Sequence, residues 1–374
     1  MRHELNQEQL LMHDSIKQQV MMIQQEPAHS FKEKWKAIAQ TGIIGIAVDP
    51  SQGGLGLGAF DQLVAFEALG RASSDNGFNF ALAAHTLACV IPISKYASSE
   101  QASTILASFL NGSNICANAM TESESGSSVY QLQTKAHLQN DNQYILNGSK
   151  TFISNGAIAD YCLVYAETTA NKGFFGGISA FLVPNNAYRC IQSYAKMGLE
   201  SVDLSELLFE QSVVDASCLL SKAGGGGFIF NESMEWERTC LAGLHIGAME
   251  RVMQQVIEFA KSRKSNGISI SKYQAISHRI AEMQVLIDTS KTIAYSTARM
   301  LDKKLNVSRE SSTTKLYVSE AVAKFMLEAL HIFGASGYIK DYGIEQEVRD
   351  ALAASIYSGT NDIQKNIISS NLGL

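Results

Sequence analysis

Gly53-Gly54-Leu55-Gly56-Leu57-Gly58-Ala59 follows an apolar run from Ile43 to Val48 and reproduces the G-x-G-x-x-A spacing of a dinucleotide-binding turn. On that reading the chain would be a doubly wound α/β protein. Its neighbourhood decides otherwise. Asp49-Pro50 breaks the chain just before the glycines, and apolar residues then recur at three- and four-residue steps through Leu63, Phe66 and Leu69 and again through Ile105, Phe109 and Leu110. The alternating strands of a doubly wound sheet are missing. The glycines therefore form a turn entering a helix, within an all-helical first domain over residues 1–112.

The texture changes over residues 113–222. Short β-prone runs appear at Tyr144-Ile145-Leu146, Tyr161 to Tyr165, Ile178 to Val183 and Leu207-Leu208-Phe209, separated by turn signals such as Asn140-Asp141-Asn142, Asn147-Gly148 and Pro184-Asn185-Asn186. A small β-barrel or sandwich is expected. Lys222-Ala223 and the glycines Gly224 to Gly227 read as a linker, because backbone freedom is greatest there. Helical periodicity returns over residues 223–374, where Ile276, Ile280, Met283, Ile287, Ala294, Ala298 and Leu301 trace one stripe and similar stripes run through 311–333 and 345–371. The expected class is α+β: an N-terminal helical domain, a middle β domain and a C-terminal four-helix bundle.

Bulk properties narrow the function. The 374 residues are 46% hydrophobic and 18% charged, an ordinary globular composition. A net charge of -6, with only the small basic cluster Lys261, Arg263 and Lys264, argues against nucleic acid as a partner. The six cysteines form no C-x-x-C pair, which suggests neither a metal site nor a disulfide framework and points to a reducing cytoplasm. The stretch Met1-Arg2-His3-Glu4-Leu5-Asn6-Gln7 is too polar for a signal peptide, and no run reads as a membrane span.

One carboxylate stands out on residue grounds alone. Leu241, Leu244 and Ala248 follow Glu237 at helical steps, so the glutamate shares their apolar face. Desolvation there raises a carboxyl pKa toward neutrality, which suits a general base acting on a weak carbon acid. A buried ion pair, or a charge placed to suit the helix dipole, is the alternative at this point.

Three segments carry a resemblance that spans most of the chain. Ala119-Met120-Thr121-Glu122, continuing through Ser125-Gly126-Ser127, resembles the A-x-T-E-P-x-x-G-S-D loop of the acyl-CoA dehydrogenases. Lys150-Thr151-Phe152-Ile153-Ser154-Asn155-Gly156 is similar to their K-x-[WF]-I-[TS]-N-[GA] strand, and Arg349-Asp350-Ala351 with Tyr357-Ser358-Gly359-Thr360-Asn361-Asp362-Ile363-Gln364 to their R-D-x...Y-E-G-T-x-x-I-Q segment. Ser358 stands where that family usually carries its catalytic glutamate. Glu237-Arg238 with Ala242 matches E-R-x-x-x-A, the site of the base in isovaleryl, long-chain and prolyl-carrier-protein dehydrogenases.

The resemblance implies FAD and a set of roles. Glu237 would be the base, while Arg238, Ser127, Tyr357 and Ser358 would border the substrate, Ser358 by giving space and hydrogen bonding. Met120, Thr121, Ser127, Phe152 and Ser154 would form the flavin pocket, with Phe152 as an aromatic wall and the hydroxyls as donors to the ring. Arg263, Ser265 and Gln274 match R-x-[TS]-F-x(7)-Q, whose arginine meets the cofactor pyrophosphate across a subunit boundary; His331, Gly334 and Ala335 match Q-x-x-G-G-x-G, and Thr360 would complete the adenosine side. Asn266, Asp362 and Ser123-Glu124-Ser125 depart from the family pattern. The implied reaction is α,β-dehydrogenation of an acyl thioester on coenzyme A or an acyl carrier protein, in a specialised pathway, by a homodimer or homotetramer that passes electrons to an acceptor or to oxygen. A flavin oxidase or oxygenase on the same scaffold, or a non-catalytic flavin-binding subunit, are the alternatives.

Overall fold

The computed structural model describes residues 5–25, 30–129, 131–140 and 142–374. Residues 1–4, which carry most of the polar amino-terminal stretch, and Asp141 of the Asn140-Asp141-Asn142 turn lie outside the described residues, as do 26–29 and 130.

The first region is helical: α1 (Gln7–Gln25), α2 (Phe31–Ala39), α3 (Ala59–Ala72), α4 (Asn76–His85), α5 (Ile91–Tyr96) and α6 (Ser99–Leu110). Local chemistry starts these helices. Ser30 and Glu33 form a capping box on α2, Ser98 and Gln101 do the same on α6, and the Asp75 carboxylate accepts the Phe78 amide at the start of α4. The glycine-rich turn enters α3 as expected, and its helix N-terminus faces a carboxylate of the protein itself. Asp302 accepts the amides of Ala59 at 2.6 Å and Phe60 at 3.2 Å, and a Cβ on Gly58 would lie 2.4 Å from that carboxylate. The donors a phosphate would need are thus satisfied from within.

A π turn, Thr86–Val90, joins α4 to α5, so the chain from Asn76 to Tyr96 is one continuous helical run with a mean hydropathy of 1.4. That is apolar and long enough to cross a membrane, contrary to the expectation that no such run exists. Asn76, Asn79, His85, Ser94 and Lys95 interrupt it and hide it in the sequence. In the fold 89% of its most apolar window is buried inside the protein, as befits a core helix.

The middle region is one seven-stranded sheet: β1 (Cys116–Ala119), β2 (Lys135–Asn140), β3 (Gln143–Ser154), β4 (Tyr161–Glu167), β5 (Ile178–Pro184), β6 (Arg189–Ser193) and β7 (Leu204–Asp215). Strand order is β1-β4-β2-β3-β7-β6 with β5 beside β4, and only β1 and β2 run parallel to β4. A small core of its own, including Leu146, Val164, Phe181 and Phe209, fills one face. The register of β3 on β7 slips between Lys150 and Ile153, where Phe152 takes the left-handed φ of 56°. The short helix α7 (Phe174–Gly177) precedes β5.

The last region contains α8 (Gly226–Cys240), α9 (Ala242–Ser262), the two-residue strands β8 (Lys264–Ser265) and β9 (Ile268–Ser269), α10 (Gln274–Asp302), α11 (Ser308–Phe333), α12 (Ala335–Tyr338), α13 (Ile344–Leu352) and α14 (Asn361–Asn371). Two sequence expectations change. The glycine run is packed where a free linker was expected: a Cβ on Gly224 would lie 2.6 Å from the Gly176 carbonyl, and one on Gly227 would lie 2.3 Å from that of Phe174. The stripe expected over 345–371 is cut in two, because Ser358 at φ 56° and Gly359 at φ 83° turn the chain between α13 and α14.

The two helical regions share a single core with part of the sheet, running through Trp35, Phe66, Tyr165, Leu244, Ile287 and Phe325. Its centre holds a buried polar cluster. Lys291 donates to Glu67 at 2.7 Å and pairs with Glu250 at 2.6 Å, and the Tyr295 hydroxyl donates to the other Glu67 oxygen at 2.7 Å. Small residues let α3 and α9 cross in backbone contact: a Cβ on Gly247 would lie 2.1 Å from the Glu67 carbonyl, and one on Gly70 would lie 2.3 Å from that of Leu244. Neither backbone can retreat without disturbing Glu67 and Lys291. Gly247→Ala is therefore expected to destabilise the protein by about 1–3 kcal/mol, the usual cost of overpacking, read as a lowered melting temperature.

Candidate active site

Glu237 lies on the buried face of α8 and is 7% exposed. The turn between α13 and α14 comes down on it. Its left-handed bend points the Ser358 hydroxyl at Glu237, donating to Oε1, while the Ser358 carbonyl accepts Arg238 Nε at 3.2 Å and Gln364 Nε2 at 3.1 Å. Gln364 also donates to the Gly359 carbonyl at 2.8 Å, so the bend is held from both sides. The hydroxyl of the residue expected to border the substrate is thus directed at Glu237. Burial pushes the Glu237 carboxyl above its usual range, and the Ser358 hydroxyl, Arg238 and Lys315 pull it part of the way back.

Tyr357 is held by contacts within the protein. Its hydroxyl shares a 2.8 Å hydrogen bond with His245 Nε2, and its ring stacks on Phe80 with centroids 4.4 Å apart. Burial first, then the nearby Lys315, holds His245 down at about 4, so it is neutral at physiological pH. A narrow cavity of about 30 Å³, space for one or two waters, lies beside this stack and is lined by Asn79, Phe80, His245 and Tyr357 among others.

Residues assigned to the flavin ring come together where β1 and β3 end. Met120 and Thr121 follow β1, Phe152 and Ser154 end β3, and the Thr151 amide donates to the Thr121 carbonyl at 2.9 Å, tying the two segments together. Beneath them Lys150 is fully buried, donating to the Met120 carbonyl at 2.9 Å and to Glu122 at 2.7 Å, and Glu122 also accepts the amides of Gln133 at 2.5 Å and Thr134 at 3.0 Å. Burial lowers Lys150 to about 8 against the pull of Glu122. The Ser123-Glu124-Ser125 departure is accommodated by a local turn in which the Ser125 amide donates to the Glu122 carbonyl at 3.1 Å. Above this base the Phe152 ring is 58% exposed and packs against Tyr194, Thr121 and Ser154 are half-buried, and Ser127 is exposed next to Gly126, whose Cβ would meet nothing within 4 Å. Half-buried hydroxyls and an open aromatic wall on a rigid support fit a flavin ring.

The residues assigned to the adenosine side occupy the far end of the helical region and are exposed: Arg263, Ser265 and Gln274 around the β8–β9 hairpin, and His331, Gly334 and Ala335 at the end of α11. Arg279 of α10 links the two groups by donating to Glu328 at 2.5 Å, within reach of His331. Gly334 has φ 58° and open space around its Cβ position, and the donor set of arginine, hydroxyl and small residues fits a pyrophosphate. Thr360 is not among them. It caps α14, two residues from Ser358.

Sequence reading missed Lys315, His245 and Asn361 as parts of the site. Lys315 carried a usable signal: with Ser311, Val318 and Val322 it falls on the buried stripe of α11, an unusual position for a lysine.

Three family models match in succession: the acyl-CoA dehydrogenase N-terminal domain over residues 9–113, the middle domain over 117–212 and the C-terminal domain over 224–373. An L-prolyl-[peptidyl-carrier protein] dehydrogenase of Serratia sp. is 36% identical over 344 residues, covering 91% of this chain and 89% of that protein. The mitochondrial isovaleryl-CoA dehydrogenase of Solanum tuberosum is 30% identical over 340 residues, 90% of this chain and 82% of the relative. Among solved structures, the prolyl acyl carrier protein oxidase AnaB superposes with a TM-score of 0.94 at 33% identity over 99% of this chain and 100% of its own, and PigA with FAD and proline at 0.93 and 33% over 99% and 98%. With all three regions matched in order, the chain belongs to the acyl-CoA dehydrogenase family of FAD-dependent enzymes.

Proposed function

We propose that this protein carries out the α,β-dehydrogenation of an acyl thioester with Glu237 as the base, and that the acyl group is a prolyl-type ring on the phosphopantetheine arm of a carrier protein. The observation that carries the reading is the buried Glu237 held by Ser358, in a chain whose relatives include prolyl-carrier-protein dehydrogenases. Bound FAD supplies the acceptor for the hydride that leaves the β carbon. The chain's own residues do the rest. Thr121, Ser127 and Ser154 orient the flavin ring against Phe152, and Arg263, Ser265 and Gln274, with His331, Gly334 and Ala335, hold its pyrophosphate and adenosine. Glu237 takes the α proton, its raised pKa making it a stronger base than an exposed carboxylate while the Ser358 hydroxyl fixes which oxygen lone pairs face the substrate.

The exposure of the adenosine-side residues supports a homodimer or homotetramer in which a second copy covers them. Six cysteines that all remain unpaired are consistent with a reducing cytoplasm. Oxygen as the electron acceptor is the second reading, favoured by the likeness to AnaB, an oxidase.

Glu237→Gln should retain FAD and lose at least about a hundredfold in the rate of flavin bleaching by its best thioester. Near wild-type bleaching would remove Glu237 from the mechanism. Ser358→Ala removes a donor that favours the carboxylate, so the pKa of Glu237 should rise. Activity is lost as pH falls through that pKa, and the acid limb of kcat/KM should therefore move to higher pH by about half a unit to one unit. Prolyl groups on a carrier protein should be turned over faster than the same groups on coenzyme A, and oxygen uptake without an added acceptor separates an oxidase from a dehydrogenase.

A further inference from the structure

Three lysines are buried among the described residues, and two of them have direct carboxylate partners: Lys150 with Glu122 at 2.7 Å, and Lys291 with Glu67 at 2.7 Å and Glu250 at 2.6 Å. Lys315 is different. It is 6% exposed, and its ammonium donates to the neutral Asn361 Oδ1 at 2.8 Å, an oxygen that also accepts the Ser319 hydroxyl at 2.9 Å. Among the described residues no carboxylate lies within ion-pair distance of it. Taking an ammonium out of water onto a neutral amide is costly, and local packing gains nothing from the charge.

The charge acts on the base. Lys315 and Arg238 share with His245, Ser319 and Tyr357 a cavity of about 10 Å³, the size of a single water. Glu237 is faced by Arg238 from its own helix, Lys315 from α11, the Ser358 hydroxyl and Tyr357 from the turn, Tyr165 from β4 and Cys89 from the π turn. Of these groups only Arg238 and Lys315 carry charge at neutral pH, and both are positive. Lys315 in turn is faced by Arg238, Glu237, Glu320 and the neutral His245.

We propose that Lys315 is a positioning residue for the dehydrogenation, whose buried positive charge keeps Glu237 ionised and ready to accept a proton. The inference rests on the reading of Glu237 as the base. Burial by itself favours the protonated carboxyl, the form that cannot accept the α proton. Arg238 and Lys315 offset part of the desolvation of Glu237, and the Ser358 hydroxyl meets one of its oxygens. Burial, then Arg238, lowers Lys315 to about 8 against the pull of Glu237 and Glu320, so it remains charged through the neutral range.

The test compares Lys315→Met, Lys315→Arg and Asn361→Ala with wild type and Glu237→Gln, each checked for bound FAD and thermal melting. In Lys315→Met the acid limb of kcat/KM for flavin reduction should move up by about one pH unit, a roughly tenfold loss on the acid side that recovers toward wild type on the alkaline side. Lys315→Arg and Asn361→Ala, which keep the charge, should leave the limb within a few tenths of a unit of wild type. Infrared titration of the carboxyl band that is absent in Glu237→Gln should show the same upward shift in Lys315→Met, and it decides the case even for a variant that binds no flavin. An unmoved limb and an unmoved band in Lys315→Met would overturn the proposal and leave Glu237 as the base. Full activity of Glu237→Gln would instead overturn the assignment of the base itself.

Discussion

A single carboxylate held out of water organises the packing of the candidate site. Glu237 is buried on α8, where burial raises its pKa, and Ser358, Arg238 and Lys315 offset part of that cost. Ser358 donates to one of its oxygens, and the positive charges of Arg238 and Lys315 favour its ionised form. The turn that delivers Ser358 is itself strained at φ 56° and is held by Arg238 and Gln364 through the same carbonyl. Glu237, its hydrogen bond and the backbone that provides it form one unit.

That unit explains how a serine can stand where the family usually has a glutamate. A second carboxylate at position 358 would face Glu237 directly, and two like charges in one buried site raise each other's pKa strongly. A hydroxyl in the same place supports the carboxylate from the helix. A buried carboxylate on α8 facing the turn is met there by a small donor, Ser358.

The helical scaffold follows the same rule, that a buried polar group needs a partner supplied from elsewhere in the chain. Asp302 on α10 satisfies the N-terminus of α3, the Glu67–Lys291–Glu250 cluster joins three helices at the centre of the shared core, and Lys150 with Glu122 supports the flavin-facing edge of the sheet. Each pair crosses between segments distant in sequence. The rigid support beneath Thr121 and Phe152 and the close crossing of α3 with α9 both depend on such pairs.

The sequence by itself determined the succession of helices, sheet and helices, the misleading nature of the glycine turn, the missing glutamate at Ser358 and the candidacy of Glu237. These are local properties: periodicity, turn chemistry and motif spacing are written in neighbouring residues. Only the tertiary structure decided that the Ser358 hydroxyl donates to Glu237, that Tyr357 is engaged with His245, that the glycine run is packed, that the last stripe breaks in two and that Lys315 is buried on α11 with Asn361 as its partner. Ser358 and Glu237 are 121 residues apart, and Asp302 is 243 residues from the amide it caps. Which groups meet inside a protein depends on how whole elements pack, and desolvation, which makes those meetings matter, exists only once the core has closed around them.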